Sequence, residues 1–218
     1  MPKQTFFNLH EDKRERIEDA AVKEFAQFGF HGARLNNIVH NAGIAKGSFY
    51  QYFENLEDLF LYLVKSISEE KVNIIHEELQ QHIEADLFTK FAKIQKAGIY
   101  YYNTISKDML HMLDHISNMQ LLQKDEFRHW VREIEKKEYY PLIDEAIASG
   151  EIDTDRDFAY VVISNTGKMI MQYIRTKKNS EQVSELLQDE KIVDEAIGQF
   201  ISLLRQGLKS QKRSFPHE

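Results

Sequence analysis

Ile38-Val39-His40-Asn41-Ala42-Gly43-Ile44-Ala45-Lys46-Gly47-Ser48-Phe49-Tyr50-Gln51-Tyr52-Phe53 is the stretch that decides how this chain is read. Leu35, Ile38, Val39 and Ala42 recur at helical spacing for about two turns, and Gly43 closes them. Phe49, Tyr52 and Phe53 form a second short stripe that begins near Ala45. Two short helices joined by a tight turn containing glycine make a helix-turn-helix pattern, which also occurs in plain helical clusters. The residues off the stripe separate these readings. Lys46, Gly47, Ser48, Tyr50 and Gln51 point away from Phe49 and Phe53. Glycine inside a helix costs about 1 kcal/mol relative to alanine; at Gly47 it would let a foreign backbone come close. Helix N-termini attract phosphate through free N–H groups and the dipole. Lys46, Ser48, Tyr50 and Tyr52 add donors suited to phosphate oxygens, and Gln51 carries an amide able to read a base edge.

Helices continue on both sides. Asn8 and Glu11 have the spacing of a capping box. Ile17, Ala20, Ala21, Phe25 and Phe28 then form one stripe that Gly29 stops, so a first helix is expected from Leu9 to Phe28. Asn55 with Asp58 caps a long helix whose stripe (Leu59, Phe60, Leu63, Val64, Ile67, Ile74, Ile75) runs to about Ile83. Further helices are expected over roughly 87–105, 107–117, 125–148, 156–177 and 190–209. Ser149-Gly150 and Lys177-Lys178-Asn179-Ser180 are the clearest breaks, and Pro141 should kink or restart its helix. Neither glycine nor proline occurs from residue 48 to residue 97. A β-sandwich or barrel needs a turn signal every ~8–12 residues, so the fold expected is all-α.

Composition narrows the function. The chain has 218 residues, 42% hydrophobic and 29% charged, which reads as one large or two small folded domains. It contains no cysteine, which excludes disulfides, thiolate metal sites and cysteine nucleophiles. No apolar run approaches the ~18 residues of a membrane span, and Met1 to Asp12 lacks the apolar core of a signal peptide. A cytoplasmic location is therefore expected. Net charge is −7, so any nucleic-acid contact must be local. His111 and His115 stand four apart, a spacing that can hold a metal, but the zinc-protease glutamate is missing and no third ligand is evident. No metal, cofactor or catalytic constellation is expected, and we read the chain as a non-enzyme.

The quoted stretch, followed by Glu57-Asp58-Leu59-Phe60 and preceded by Ala20-Ala21, Phe25 and Gly29-Phe30, resembles the tetracycline-repressor (TetR-type) family of bacterial transcriptional regulators. The resemblance covers residues ~13–65 at matching spacing over three helices. It implies an N-terminal three-helix helix-turn-helix domain, residues 1–54, that binds double-stranded operator DNA. Residues 55–218 would then form a helical bundle for effector binding and dimerisation. The DNA contacts it implies are Arg34 and Asn36 at the second helix, and Lys46, Gly47, Ser48, Tyr50, Gln51 and Tyr52 at the third. Three positions depart from the family pattern. Ala33 and Ala45 stand where hydroxyl residues are common, and Leu56 where lysine is frequent, so few phosphate contacts per subunit are expected.

The second half is read against the same resemblance. The last two helices would pair across a two-fold axis. Ile192, Ala196, Phe200 and Leu203 belong to an apolar face wider than one intramolecular contact needs, and Gly167 and Gly198 would allow close approach. Phe91, Tyr101, Met109, Met112, Phe127, Trp130, Met169 and Tyr173 are the candidate pocket residues, suited to a small apolar or aromatic effector. The expected protein is a repressor released from a palindromic operator by that effector. The alternatives are an activator of the same fold, control by a protein partner, and an enzyme using the aromatic bundle as its pocket.

Overall fold

The computed structural model describes residues 1–115, 125–179 and 189–208. Among these residues the helices are α1 (Gln4–Phe7), α2 (Glu11–Gly32), α3 (Leu35–Asn41), α4 (Lys46–Tyr52), α5 (Leu56–Gln80), α6 (Leu87–Tyr100), α7 (Lys107–Asp114), α8 (Asp125–Ala148), α9 (Arg156–Lys178) and α10 (Glu190–Leu208), with a 3-10 turn at Tyr101–Asn103. No strand occurs among the described residues, so the all-α fold stands. The chain packs as two compact units. The first holds Met1–Asn73 and 101–115; the second holds Ile74–Tyr100 and the described residues after 124. The expected boundary after residue 54 falls within the first unit.

In the first unit the stripes meet as spaced. Ile17, Ala21, Phe25, Ile38, Phe49, Phe53, Leu59 and Phe60 are all at most 1% exposed. Asn55 caps α5 as expected: its Oδ1 accepts the Asp58 N–H at 2.9 Å, and Asp58 Oδ2 accepts the Glu54 N–H at 3.2 Å. The first helix differs from expectation at its start and breaks at Gly29 as expected. Asn8 is the C-cap of α1, and α2 begins at Glu11 behind His10 without a side-chain cap. The cause is Phe6, fully buried with its ring 4.7 Å from Phe53 and 5.3 Å from Tyr62, which draws the N-terminal segment into a helix of its own. At the other end Gly29 takes φ +62, the left-handed conformation that glycine adopts without strain, and the chain turns there. Phe28 is consequently 46% exposed, and Phe30 takes the place expected for it, stacked on Phe25 and 5.2 Å from Phe60. The ring of His115 lies 3.5 Å from where a Gly29 Cβ would stand, and its Nε2 is 3.1 Å from the Ala26 carbonyl. That contact gives the histidine a packing role against α2.

The second unit packs α6, α8, α9 and α10. Phe88, Phe91, Ile94, Ile143, Ala159, Ile170, Ile174, Val193 and Ala196 are at most 1% exposed. α8 continues through Pro141 without a restart, one of the two outcomes expected there, the other being a kink. Gly150, at φ +74, ends it: the Gly150 and Glu151 N–H groups donate to Ile147 and Ala146 carbonyls, a Schellman-type stop. Asp155 caps α9 through the Phe158 N–H at 2.9 Å, and Asn179 ends it in the left-handed region. Gly167 serves the chain's own core. A Cβ there would lie 2.7 Å from Oε1 of buried Gln95 on α6, so the glycine leaves room for that amide. Buried Lys90 is matched by Glu145 at 3.0 Å. Arg205 grips Asp86 with two contacts of 3.0 Å and lies over the Phe88 ring.

Four tyrosines hold their protons above the ordinary phenol range. Tyr62, Tyr101, Tyr139 and Tyr160 are pushed above the usual 10.0 by burial first and then by a carboxylate, Glu18, Glu70 or Glu135. Tyr160 rises to about 12. The folded chain thus holds these protons more tightly than the unfolded one, so stability falls as pH rises. The melting temperature should show no tyrosine-dependent loss below pH 10 and should decline as pH rises through 12. Tyrosine ionisation completed in the native protein near pH 10 by ultraviolet titration would contradict this.

Candidate nucleic-acid interface

α3 and α4 are held from below and bare on one side. Ile38, Val39 and Ala42 seat α3, and Phe49 and Phe53 seat α4. Gly43 makes the turn at φ +67, and the Ile44 N–H returns to the Val39 carbonyl at 3.0 Å. The start of α3 is fixed from α2. Glu24, only 5% exposed, accepts the Arg34 N–H at 2.9 Å and the Asn37 amide at 3.0 Å. This buried carboxylate fixes the N-cap Arg34 and the first turn of α3 to α2, next to Ala33, which offers no hydroxyl. Ala45, the N-cap of α4, likewise makes no side-chain cap.

The candidate contacts then sort by exposure. Arg34, Asn36, Lys46, Gly47 and Gln51 are exposed, Ser48 is half-buried and Tyr50 is 47% exposed. A Cβ on Gly47 would meet no atom within 4 Å, so the fold does not require glycine there. Tyr52, included on resemblance, is 5% exposed; its ring tilts against Phe6, and Lys13 Nζ lies 5.7 Å above it. Sequence reasoning missed Glu24 and the N-terminal segment. Glu24 carried a signal, an acid beside the buried stripe of α2, whereas the four residues of α1 are too few for periodicity.

The eight candidate pocket residues do not share one unit. Tyr101 and Met112 are buried in the first, with Met109 half-buried. Phe91, Phe127, Trp130, Met169 and Tyr173 lie in the second. Phe91 is core, 6.0 Å from Tyr139. Phe127 lines an open hollow of about 460 Å³ between α8 and α9, together with Val131, Arg132, Tyr160, Val161 and Lys168. Met169 and Tyr173 line another of about 520 Å³ with Phe200 and Lys168. Of the candidate interface residues, Ala196 is fully buried by its own chain, Ile192 and Phe200 are half-buried, and Leu203 is 63% exposed. The wide face of α10 is therefore mostly spent on the contacts of α10 with α6 and α9.

Residues 17–63 match the sequence profile of bacterial regulatory proteins of the tetR family. The fatty acid metabolism regulator protein of Bacillus subtilis (strain 168) is 31% identical over 150 residues, which span 66% of this chain and 73% of that protein. A TetR family transcriptional regulator from Chloroflexus aurantiacus J-10-FL has the same fold at TM-score 0.64 and 28% identity, over 97% of this chain and all of that one. The Bacillus subtilis regulator FadR, solved in complex with stearoyl-CoA, shares the fold at TM-score 0.60 and 23% identity, over 89% of this chain and 98% of that one. A helix-turn-helix seated on buried aromatics, a profile match over that same segment and likeness across most of the chain place the protein in the TetR family of transcriptional regulators.

Proposed function

We propose that the protein is a dimeric repressor that reads a palindromic operator through α4 and is released by a small apolar effector of fatty-acyl type. The observation that carries the DNA reading is the bare face of α4, with Lys46, Tyr50 and Gln51 exposed around open space at Gly47. Lys46 and Tyr50 are assigned to phosphate and groove contacts, Gln51 to a base edge, and Arg34, Asn36 and Ser48 to supporting contacts. Tyr52 enters through its packing beneath Lys13. Residues 1–54 are taken as the reading head and 55–218 as the effector and dimerisation part. Selection of duplexes from a random library, followed by footprinting, tests this: half-sites one helical turn apart, ~34–36 Å, are expected. No enrichment over random sequence would end the proposal.

Gly47 gives a sharper test. Alanine fits the fold there and should raise stability by up to about 1 kcal/mol. The same methyl would stand between α4 and a DNA backbone. Gly47→Ala should therefore melt no lower than wild type, yet bind the selected duplex about tenfold more weakly. Wild-type binding would remove Gly47 from the contact.

Dimerisation is assigned to the outward faces of α9 and α10. Phe158, Val161 and Met169 are each more than half exposed along one side of α9, as is Leu203 on α10. Exposed apolar residues in register along a helix suit a partner helix. Val161→Glu with Leu203→Glu should give a folded monomer by sedimentation and lose the palindromic site. A dimer that survives both charges would move the interface elsewhere.

The fatty-acyl class rests on the relatives, one named for fatty acid metabolism and one solved with stearoyl-CoA. Long-chain acyl-CoA and free fatty acid should be titrated against the free and the duplex-bound protein. Weaker binding to the duplex-bound form is expected, by the same factor by which the ligand weakens duplex binding, commonly about 5–150-fold. Equal affinities would separate the effector from DNA control.

A further inference from the structure

The C-terminal end of α4 is closed by residues that come before the helix-turn-helix in the chain. A helix leaves its last four carbonyls without intrahelical partners. In α4 these belong to Phe49, Tyr50, Gln51 and Tyr52. Phe49 O accepts the Phe53 N–H at 2.9 Å. The other three are met from the N-terminal segment. Lys3 Nζ donates to Tyr50 O at 2.9 Å, the Thr5 hydroxyl donates to Gln51 O, and the Lys3 N–H donates to Tyr52 O at 2.8 Å. Lys3 also brings positive charge to the negative end of the helix dipole. Buried Phe6 anchors the segment against Phe53 and Tyr62.

We infer that Lys3 and Thr5 are positioning residues for base reading, because the two carbonyls their side chains hold belong to Tyr50 and Gln51. The inference rests on α4 being the reading helix, as proposed above. A helix of seven residues has little stability of its own; Phe49 and Phe53 seat its apolar face, and the bonds to Tyr50 and Gln51 carbonyls hold its last turn. Base-edge contacts require the amide of Gln51 to arrive in one geometry, whereas phosphate contacts tolerate small shifts. Freeing the last turn of α4 should thus cost sequence preference more than general DNA affinity.

The test replaces both side-chain donors, Lys3→Met with Thr5→Val, and keeps the Lys3 backbone bond. Probes are a duplex selected from a random library by the wild-type protein and a shuffled duplex of equal composition, each at several salt concentrations. The selected duplex should be bound about tenfold more weakly, with the shuffled duplex and the salt slope unchanged. Lys3→Arg should bind as wild type does. Unchanged preference in the double variant overturns the inference. So does an equal loss on both duplexes with the salt slope reduced by about one unit, which would make Lys3 a phosphate contact. If the double variant is unfolded by circular dichroism, Thr5→Val alone decides: reduced preference supports the inference and wild-type preference overturns it. Gln51→Ala runs in parallel. Wild-type preference in that variant would show that the reading by α4 itself fails, and the inference with it.

Discussion

Lys46→Ala combined with Tyr50→Ala should lower affinity for a selected duplex by about a hundredfold, with helix content and oligomeric state unchanged. Both side chains stand on the bare side of α4, and the core of the first unit does not depend on them. Tyr50 is 47% exposed, with its ring edge-on to the Phe49 ring at 5.4 Å. Lys46 is exposed at the first position of the helix. A lysine on a phosphate releases a counterion, so Lys46→Ala alone should reduce the salt slope by about one unit and weaken all duplexes similarly. Tyr50→Ala should keep the slope. The chain is acidic overall, so few phosphate contacts are expected and losing one should matter more than on a basic surface. Fluorescence anisotropy on labelled duplexes measures both effects. An unchanged dissociation constant in the double variant would take DNA reading off this helix.

Phe25→Ala is expected to cost about 3–5 kcal/mol of stability, a large share of what a typical domain has. Phe25 is fully buried, with its ring edge-on to Phe60 at 4.9 Å and stacked on Phe30 at 6.3 Å. It joins α2, α5 and the segment that turns back at Gly29. Removing the ring leaves a cavity that α5 and the two arms of α2 on either side of Gly29 cannot close together. Urea unfolding should show the midpoint moving down at constant slope, and duplex binding should fail at a lower temperature than in wild type. Phe25→Leu, which keeps most of the volume, should cost far less, about 1–2 kcal/mol. A loss below 1 kcal/mol for alanine would mean that Phe30 and Phe60 hold the unit without it.

The sequence read best where a stripe and a terminator coincide. α3 and α4 stand where Leu35–Ala42 and Phe49–Phe53 put them, and α8 to α10 begin at Asp125, Arg156 and Glu190 as spaced. It read worst where a partner distant in the chain decides. Phe28 and Phe30 are both aromatic at the end of one stripe, and only the left-handed turn at Gly29 selects Phe30 for the core. Gly167 looked like room for a second chain, but Gln95 of α6 occupies that room. Ala196 belonged to an apolar face, and contacts with α6 and α9 consume it.

By itself the sequence determined the helical class, the helix-turn-helix and which side of α4 is bare. These follow from spacing along one helix, where residues three and four apart share a face whatever the rest of the chain does. Tertiary structure decided what holds α3 and α4 in place: Glu24 at the start of α3, Lys3 and Thr5 at the end of α4, and Phe6 beneath the segment that carries them. A hydrogen bond between residues 46 or 47 positions apart leaves no period in the sequence. It exists only once burial of the aromatic core has brought the two segments together, because the open carbonyls at a helix end take whichever donors packing delivers to them.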